Sequence, residues 1–186
     1  MKQIVVFASG SGTNAENLIR YFNQTDSDAR VTRIFTNSEE AGVIKRAGKY
    51  DVPVTVFNRY TFMSPDFLKQ IGNPDCIVLA GFLWLIPEYF VKAFTNKIVN
   101  IHPALLPKYG GKGMYGSRVH EAVIENNENQ SGITIHYVNE NYDEGEIILQ
   151  ARCKVSANET PENLAQKIHK LEYAFFPITI KTILKD

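Results

Sequence analysis

An asparagine and a histidine stand two positions apart where an apolar run gives way to a proline-containing loop. The loop sequence over 100–111 is NIHPALLPKYGG, and the apolar run over 98–102 is typical of a buried strand. Side chains two apart on a strand point to the same face, so Asn100 and His102 should direct an amide and an imidazole into one space. A hydrophobic core does not favour two such groups, whereas a reaction that develops negative charge on an oxygen could use both.

A carboxylate that could join this pair is Asp143, in the polar connection NENYDEG over 139–145. If it lies at the same edge of the sheet, it should raise the pKa of His102 and keep an imidazolium beside Asn100. Asp and Gly also favour turns, and a histidine on a strand is often a hydrogen-bonded core residue. Spacing alone leaves these alternatives open.

A glycine-rich loop, SGSGTN over 9–14, joins the first predicted strand to the first predicted helix. Together with Ala15 it fits a loose G-x-G-x-x-A dinucleotide pattern, which requires an acid at the end of the second strand. That strand ends at Asn37, and the first acids, Glu39 and Glu40, lie in the following loop. The loop therefore favours a single phosphate held by backbone N–H groups at a helix N-terminus, with a tight turn without ligand as the alternative.

Other chemistries find little support. The four histidines, at positions 102, 120, 136 and 169, lack paired metal-ligand spacing, and no G-x-S-x-G motif indicates a serine nucleophile. Cys76 and Cys153 lie in apolar runs and are expected to be small buried residues in a reducing compartment.

The bulk composition narrows the class of protein. Among 186 residues, twenty basic and twenty acidic side chains balance, so no basic excess indicates a nucleic-acid partner. No run approaches the ~18 apolar residues of a membrane span. We expect a cytoplasmic protein that acts on small molecules as a monomer or weak homodimer.

Short apolar runs alternate with amphipathic segments along the first 100 residues. The predicted strands are 4–8, 31–36, 54–57, 76–80 and 98–102, and the predicted helices are 14–22, 41–50, 65–71 and 87–93. Pro65 and Pro87 each suit a first helical position, and Ser64 suits an N-cap. This alternation indicates an α/β fold with a doubly wound, mostly parallel sheet.

The pattern changes after residue 111. A helix over 119–125 precedes two strands, 132–138 and 147–155, whose polar connection indicates antiparallel additions to the sheet. Thr160 should cap a long C-terminal helix. Its predicted apolar stripe consists of Leu164, Ile168, Leu171, Phe175 and Ile178. Without a linker or repeat, residues 1–186 are predicted to form a single domain.

Six segments together resemble the folate-dependent phosphoribosylglycinamide formyltransferase family over nearly the whole chain. They are SGSGTN at 9–14, VLAGFLWLIP at 78–87, NIHPALLPKY at 100–109, GITIHYV at 132–138, DEGEIILQ at 143–150 and LEYAFFP at 171–177. The resemblance implies formyl transfer from 10-formyltetrahydrofolate, as co-substrate, to glycinamide ribonucleotide in purine biosynthesis, without a metal.

The resemblance also implies roles for particular residues. Asn100, His102 and Asp143 would be catalytic, while Gly12, Thr13 and Asn14 would bind the ribotide phosphate and Glu172 would contact the ribotide. The cofactor-binding residues would be an apolar pterin wall and a loop that closes over the pterin, namely Leu83, Trp84, Leu85 and Ile86, and Asn139, Glu140 and Asn141.

Two segments depart from the family pattern. Family members commonly have Arg where Trp84 stands, so the pterin wall should be built differently. Separately, Arg59 is a candidate for contacting the folate tail. The segment GGKGMYGSRVHEAV after Tyr109 is longer than usual, and either Arg118 or His120 could take over its contacts.

The alternatives are a formyltetrahydrofolate deformylase, a methionyl-tRNA formyltransferase and a non-catalytic nucleotide-binding module. The deformylase usually has an added N-terminal domain and the tRNA enzyme an added C-terminal one, and neither is expected here.

Overall fold

The computed structural model, which describes residues 1–24 and 27–185, contains seven strands in one sheet. In chain order, the strands are β1 Lys2–Phe7, β2 Ala29–Thr36, β3 Val54–Val56, β4 Cys76–Leu79, β5 Ile98–His102, β6 Gln130–Tyr137 and β7 Ile147–Lys154. Their order across the sheet is β3-β2-β1-β4-β5-β6-β7. The first five are parallel, and β6 and β7 add antiparallel, as the sequence predicted.

The helices connect these strands. They are α1 Thr13–Phe22, α2 Gly42–Gly48, α3 Arg59–Phe62, a 3₁₀ turn Pro65–Phe67, α4 Leu68–Ile71, α5 Glu88–Ala93, α6 Ser117–Glu125 and α7 Pro161–Ile183. Ser64 caps the 3₁₀ turn by accepting from the N–H of Asp66, as expected. Pro87 is the N-cap of α5 rather than its first residue, and the short α3 was not predicted. None of these helices, within the described part of the chain, is long and apolar enough to cross a bilayer.

The two faces of the sheet carry separate hydrophobic cores because successive side chains on a strand alternate. Ile4 and Val6 of β1 pack with α1, α2, α6 and α7 on one face. Val5 and Phe7 pack on the other face with α3, α4 and α5. Helices on both faces confirm the doubly wound fold, and the parallel strands end together at one edge of the sheet.

The long helix α7 begins as predicted. Thr160 is its N-cap, and its hydroxyl accepts from the N–H of Asn163 at 3.2 Å. The predicted stripe is wrong in its second half, since Phe175 is 37% exposed and Ile178 is 55% exposed.

A row of every fourth residue is buried instead. Its members are Leu164, Ile168, Glu172, Phe176 and Ile180. Because Glu172 is charged, it interrupts the apolar spacing of the buried row. The predicted stripe therefore followed the neighbouring residues Leu171 and Phe175 instead.

The two cysteines differ in burial. Cys76 in β4 is 1% exposed, and burial raises the pKa of its thiol to about 12, which fits a small apolar residue. Cys153 in β7 is only half-buried.

Candidate active site

A cavity of about 590 Å³ opens at the carboxyl ends of β1, β4 and β5. Parallel sheets bind ligands at this edge because the loops that follow the strands converge there. The lining residues come from both ends of the chain: the glycine loop over 10–14, the turn over 80–83, residues 100–103 and 111–116, Tyr142 and Asp143, and three residues of α6 and α7, namely His120, His169 and Glu172.

Asn100, His102 and Asp143 meet in this cavity, so their predicted proximity is confirmed. The Nδ2 atom of Asn100 donates to Oδ1 of Asp143 at 3.3 Å. The other carboxylate oxygen, Oδ2, lies 3.5 Å from Nδ1 of His102 and accepts from the N–H of Gly111 at 2.9 Å. One carboxylate therefore joins the amide and the imidazole that β5 presents on one face.

The imidazole of His102 has a defined tautomer. Its Nε2 atom lies 2.6 Å from the carbonyl oxygen of Tyr109, and a carbonyl only accepts, so Nε2 carries the proton. The Nδ1 atom, which faces Asp143, is consequently the position that can take up another proton.

The expectation that Asp143 keeps His102 protonated is wrong for the protein alone. Burial lowers the pKa of His102 below its ordinary value. The carboxylate of Asp143 and the carbonyl of Tyr109 both raise this pKa, but burial outweighs them. His102 is therefore neutral at neutral pH.

Asp143 itself is ionised. Burial raises the pKa of its carboxyl group, but contacts with His136, His102 and the N–H of Gly111 together hold the pKa below its ordinary value. A negative charge is thus maintained beside a neutral imidazole that can accept a proton.

His136 completes the arrangement, although its position there was not predicted. It lies opposite Asn100 in the antiparallel pairing of β5 and β6, and it is 2% exposed. Its Nδ1 atom donates to the carbonyl of Tyr137 at 2.8 Å, so its Nε2 atom accepts from Nδ2 of Asn100 at 3.0 Å. Both N–H groups of the Asn100 amide are therefore engaged, one by His136 and one by Asp143.

A buried threonine holds the loop that follows His102. The hydroxyl of Thr134 in β6 donates to the carbonyl of Ala104 at 2.7 Å and accepts from the N–H of Leu106 at 3.0 Å. Gln150 of β7 donates to the carbonyl of Leu106 and to the same hydroxyl, each at 3.0 Å. These bonds fix the loop that carries the Tyr109 carbonyl, in addition to the two prolines noted in the sequence.

The glycine loop forms the other end of the cavity. Gly12 is the N-cap of α1 with a φ of 75°, and a Cβ atom there would lie 2.5 Å from the side chain of Val43. The first N–H groups of α1 have no partner within the helix, whose first bond runs from Glu16 to Gly12. Gly12, Thr13 and Asn14 thus present free donors at a helix N-terminus, where an anion is favoured.

The carboxylate of Glu172 lies beside this loop. One of its oxygens accepts from Nδ2 of Asn14 and from Nδ1 of His169, both at 2.9 Å. The hydrogen bond to Glu172 raises the pKa of His169, which therefore keeps its positive charge to higher pH. His169 was not predicted to belong to the site, although its i,i+3 spacing from Glu172 on a predicted helix was a usable signal.

The stretch 83–86 does not form one continuous wall. Leu83 lines the main cavity, and Leu85 is exposed while its N–H donates to the Tyr142 hydroxyl at 3.1 Å. Ile86 is 3% exposed and packs in the core behind them. The remaining residue, Trp84, faces a second cavity.

That second cavity, of about 540 Å³, adjoins the ends of β2 and β3 and also contains Arg59. The guanidinium carbon of Arg59 lies 5.1 Å from the centre of the Trp84 ring, within the range of a cation–π contact. The aromatic ring therefore orients an exposed cation at this position.

The loop over 139–143 reaches the cavity through Tyr142 and Asp143. Asn139, Glu140 and Asn141 do not line it. Asn139 accepts from the N–H of Asn141, whose own amide donates to Glu144, so these residues shape the loop. Tyr142, which the sequence analysis did not single out, joins this loop to Leu85.

In the lengthened segment after Tyr109, His120 and Arg118 have different positions. Arg118 is exposed, and its guanidinium carbon lies 5.2 Å from the centre of the Tyr115 ring. His120 is 5% exposed and lines the main cavity. His120 is thus the residue of the two that faces the site. Within residues 1–24 and 27–185, no cluster of His, Cys, Asp and Glu side chains has an arrangement that could hold a metal ion.

Known proteins are similar to this chain in sequence and in fold. A family model described as formyl transferase matches residues 2–180. Phosphoribosylglycinamide formyltransferase of Bacillus subtilis is 33% identical over 191 residues, covering 99% of this chain and 95% of that protein. The chloroplastic phosphoribosylglycinamide formyltransferase of Arabidopsis thaliana is 39% identical over 194 residues, covering all of this chain. The chain spans 66% and 62% of the lengths of two plant relatives, those of Arabidopsis thaliana and Vigna unguiculata.

Solved structures agree with the sequence comparison. The crystal structure of phosphoribosylglycinamide formyltransferase from Bacillus halodurans superposes with a TM-score of 0.86 at 34% identity, covering 98% of this chain and 95% of the other. The corresponding protein from Anaplasma phagocytophilum superposes with a TM-score of 0.89 at 32% identity, covering 100% of this chain and 87% of the other.

Proposed function

Because the chain belongs to the formyl transferase family, we propose that it transfers the formyl group of 10-formyltetrahydrofolate to the amine of 5-phosphoribosylglycinamide in purine biosynthesis. The observation that carries this proposal is the position of Asp143 in the cavity. Its Oδ1 atom accepts a hydrogen bond from Asn100, and its Oδ2 atom faces His102. The same cavity extends to the glycine loop over 10–14, which suits the phosphate of the ribotide.

The ribotide binds along α1 and α7. Its phosphate accepts hydrogen bonds from the N–H groups of Gly12, Thr13 and Asn14, and the positive end of α1 favours the negative charge. Glu172 contacts the sugar end of the ribotide, and its bonds to Asn14 and His169 support this role because they fix its carboxylate at the cavity wall. This arrangement directs the glycinamide amine toward Asn100 and His102.

The folate occupies the side of the cavity formed by the turn after β4. Leu83, Trp84 and Leu85 provide the apolar surface for the pterin and its aminobenzoyl neighbour, and Ile86 supports them from the core. The loop of Asn139, Glu140 and Asn141 closes over the pterin. The hydrogen bond from the N–H of Leu85 to the hydroxyl of Tyr142 supports this role because it joins the loop to the apolar surface. Arg59, held over Trp84, binds the carboxylates of the folate tail.

His102 moves the proton that the reaction must transfer. The amine nitrogen attacks the formyl carbon and forms the new C–N bond, which leaves a positive nitrogen and a negative oxygen on the tetrahedral intermediate. Neutral His102 accepts the proton from that nitrogen at Nδ1 and then gives it to N10 of the folate as the old C–N bond breaks. Asp143 stabilises the imidazolium that exists between these two transfers.

Asn100 stabilises the negative oxygen. Its contact with Asp143, at 3.3 Å, is longer than its contact with His136, at 3.0 Å. When His102 becomes charged, Asp143 is attracted to it, and one N–H group of Asn100 is released toward the oxyanion. His136 keeps the amide in the orientation that this donation requires.

An initial-rate assay with both substrates tests the proposal, beside a control that contains folate without ribotide. Formylation of the ribotide that depends on both substrates is the expected result. Ribotide-independent hydrolysis would favour a deformylase, and binding of the ribotide without turnover would favour a nucleotide-binding module.

We also propose that the chain acts as a single domain in the cytoplasm, as a monomer or weak homodimer without nucleic-acid or membrane partners. The single sheet that joins the described residues supports the first part. The free cysteines Cys76 and Cys153 support a reducing compartment. Sedimentation at several protein concentrations measures the oligomeric state.

A further inference from the structure

The wall of the main cavity contains a buried histidine that the reaction above does not use. His120, on α6, is 5% exposed and lines the cavity. Its Nδ1 atom is buried and has no hydrogen-bond partner among the described protein groups. Because Nδ1 is closed off, the ring meets the cavity through its other atoms, and a ligand there can supply the missing hydrogen bond at Nε2.

His120 lines the same cavity as the groups at both ends of the proposed ribotide site. It interacts electrostatically with His102, which lies at the reacting end. It also interacts with His169 and Glu172, which lie beside the glycine loop. In the ribotide, the part that joins the phosphate to the glycinamide is the ribose.

His120 is suited to a hydroxyl group rather than to the phosphate. Burial lowers its pKa below the ordinary value; the charge of His169 lowers it further, and those of Glu172 and Glu121 raise it only in part. A neutral imidazole offers one donor and one acceptor, and a hydroxyl group is likewise both. A phosphate would instead favour a cation.

We propose that Nε2 of His120 forms a hydrogen bond with a ribose hydroxyl of the bound ribotide, so that His120 selects substrates with a complete ribose. This inference rests on the proposed function. His120 thereby adds a second contact to the sugar, beside the one proposed for Glu172.

The experiment compares kcat/KM for the ribotide with kcat/KM for its 2′-deoxy and 3′-deoxy analogues. The enzymes are the wild type, His120→Phe and His120→Ala, with Glu125→Gln as the control, since Glu125 is exposed on the same helix. The wild type should lose about tenfold on one of the two analogues, which corresponds to about 1.4 kcal/mol. Both His120 variants should lose about tenfold on the complete ribotide, through KM, and should no longer discriminate against that analogue.

Two results would overturn the inference. One is a wild type that accepts both deoxy analogues as well as the ribotide, a comparison that requires no variant to fold. The other is full discrimination retained in either folded His120 variant, which would assign the hydroxyl contact to another residue such as Glu172. A wild type that does not formylate the complete ribotide would instead refute the proposed function, and this inference with it.

Discussion

The Oδ2 atom of Asp143 lies 3.5 Å from the Nδ1 atom of His102, and both side chains are largely buried. Since Nε2 of His102 donates to the Tyr109 carbonyl, Nδ1 is the nitrogen at which the imidazole gains and loses a proton. The carboxylate therefore acts on the nitrogen that would take up the transferred proton.

Asp143→Asn tests this relationship. Asn is nearly isosteric and is also a good turn former, so the loop should keep its shape. The maximal rate should fall by about 10²–10⁴-fold, the range for loss of positioned acid–base catalysis.

The pH profile of that variant distinguishes a catalytic charge from a turn residue. The charge of Asp143 raises the pKa of His102, so its removal should lower that pKa further. Because the neutral imidazole is the active form, the acid limb of the rate profile and the His102 NMR titration should both move to lower pH. Normal turnover together with an unchanged His102 titration would show that Asp143 serves only to form the turn.

Thr134→Val should loosen the loop that positions His102. The substitution preserves the shape of the side chain but removes three hydrogen bonds at a fully buried position, leaving the Leu106 N–H and the Ala104 carbonyl without this partner. Urea denaturation should show a loss of about 1–3 kcal/mol in the free energy of unfolding.

Ser131→Ala on the same strand is the matched control. Ser131 is 2% exposed, but its hydroxyl has no hydrogen-bond partner among the described protein groups, so its removal should not lower the free energy of unfolding. Equal losses for the two variants would contradict the role given to Thr134.

Gly12→Ala should destabilise the fold, whereas Gly10→Ala should not. A Cβ atom at Gly12 would lie 2.5 Å from Val43 and would stand at a φ of 75°, whereas no atom lies within 4 Å of one at Gly10. We expect a loss of about 2–4 kcal/mol for Gly12→Ala from backbone strain and overpacking. Thermal and urea unfolding of both variants measure this difference, and equal stability would contradict the close packing of the loop on α2.

Arg59→Ala should weaken binding of folates through their tail. The KM for 10-formyltetrahydrofolate should rise by about tenfold, the order expected for one charge-assisted hydrogen bond. The KM for an analogue without the glutamate tail should not change. Arg30→Ala, an exposed position near the start of β2, is the control, and a rise for both folates would place the tail elsewhere.

Much of the fold could be predicted because apolar runs and helix signals are local. The bounds of β5 were predicted to the residue, and with them the shared face of Asn100 and His102. The C-terminal helix was located from its cap, but its buried face was not, because Glu172 is a charged residue in a buried row. A buried carboxylate in this row therefore made the buried face of the helix hard to recognise from the spacing of apolar residues.

The parts of the site that escaped prediction depend on strand pairing and on burial. His136 and Thr134 contact the site because β6 pairs antiparallel with β5, placing them opposite Asn100 and His102. The sequence does not specify that register. Likewise, the charge of Asp143 beside His102 could be predicted from the sequence, but the burial that outweighs this charge could not. The net direction of the shift in the pKa of His102 was therefore predicted wrongly.

The most direct measurement of the central claim follows the formyl carbon itself. The protein is supplied with 10-formyltetrahydrofolate labelled with ¹³C in the formyl group, with and without glycinamide ribotide, and the products are observed by NMR. The account predicts that the label enters the formyl amide of the ribotide and that formate does not rise above the level without protein. Label that appears in formate at the same rate with or without the ribotide would contradict it.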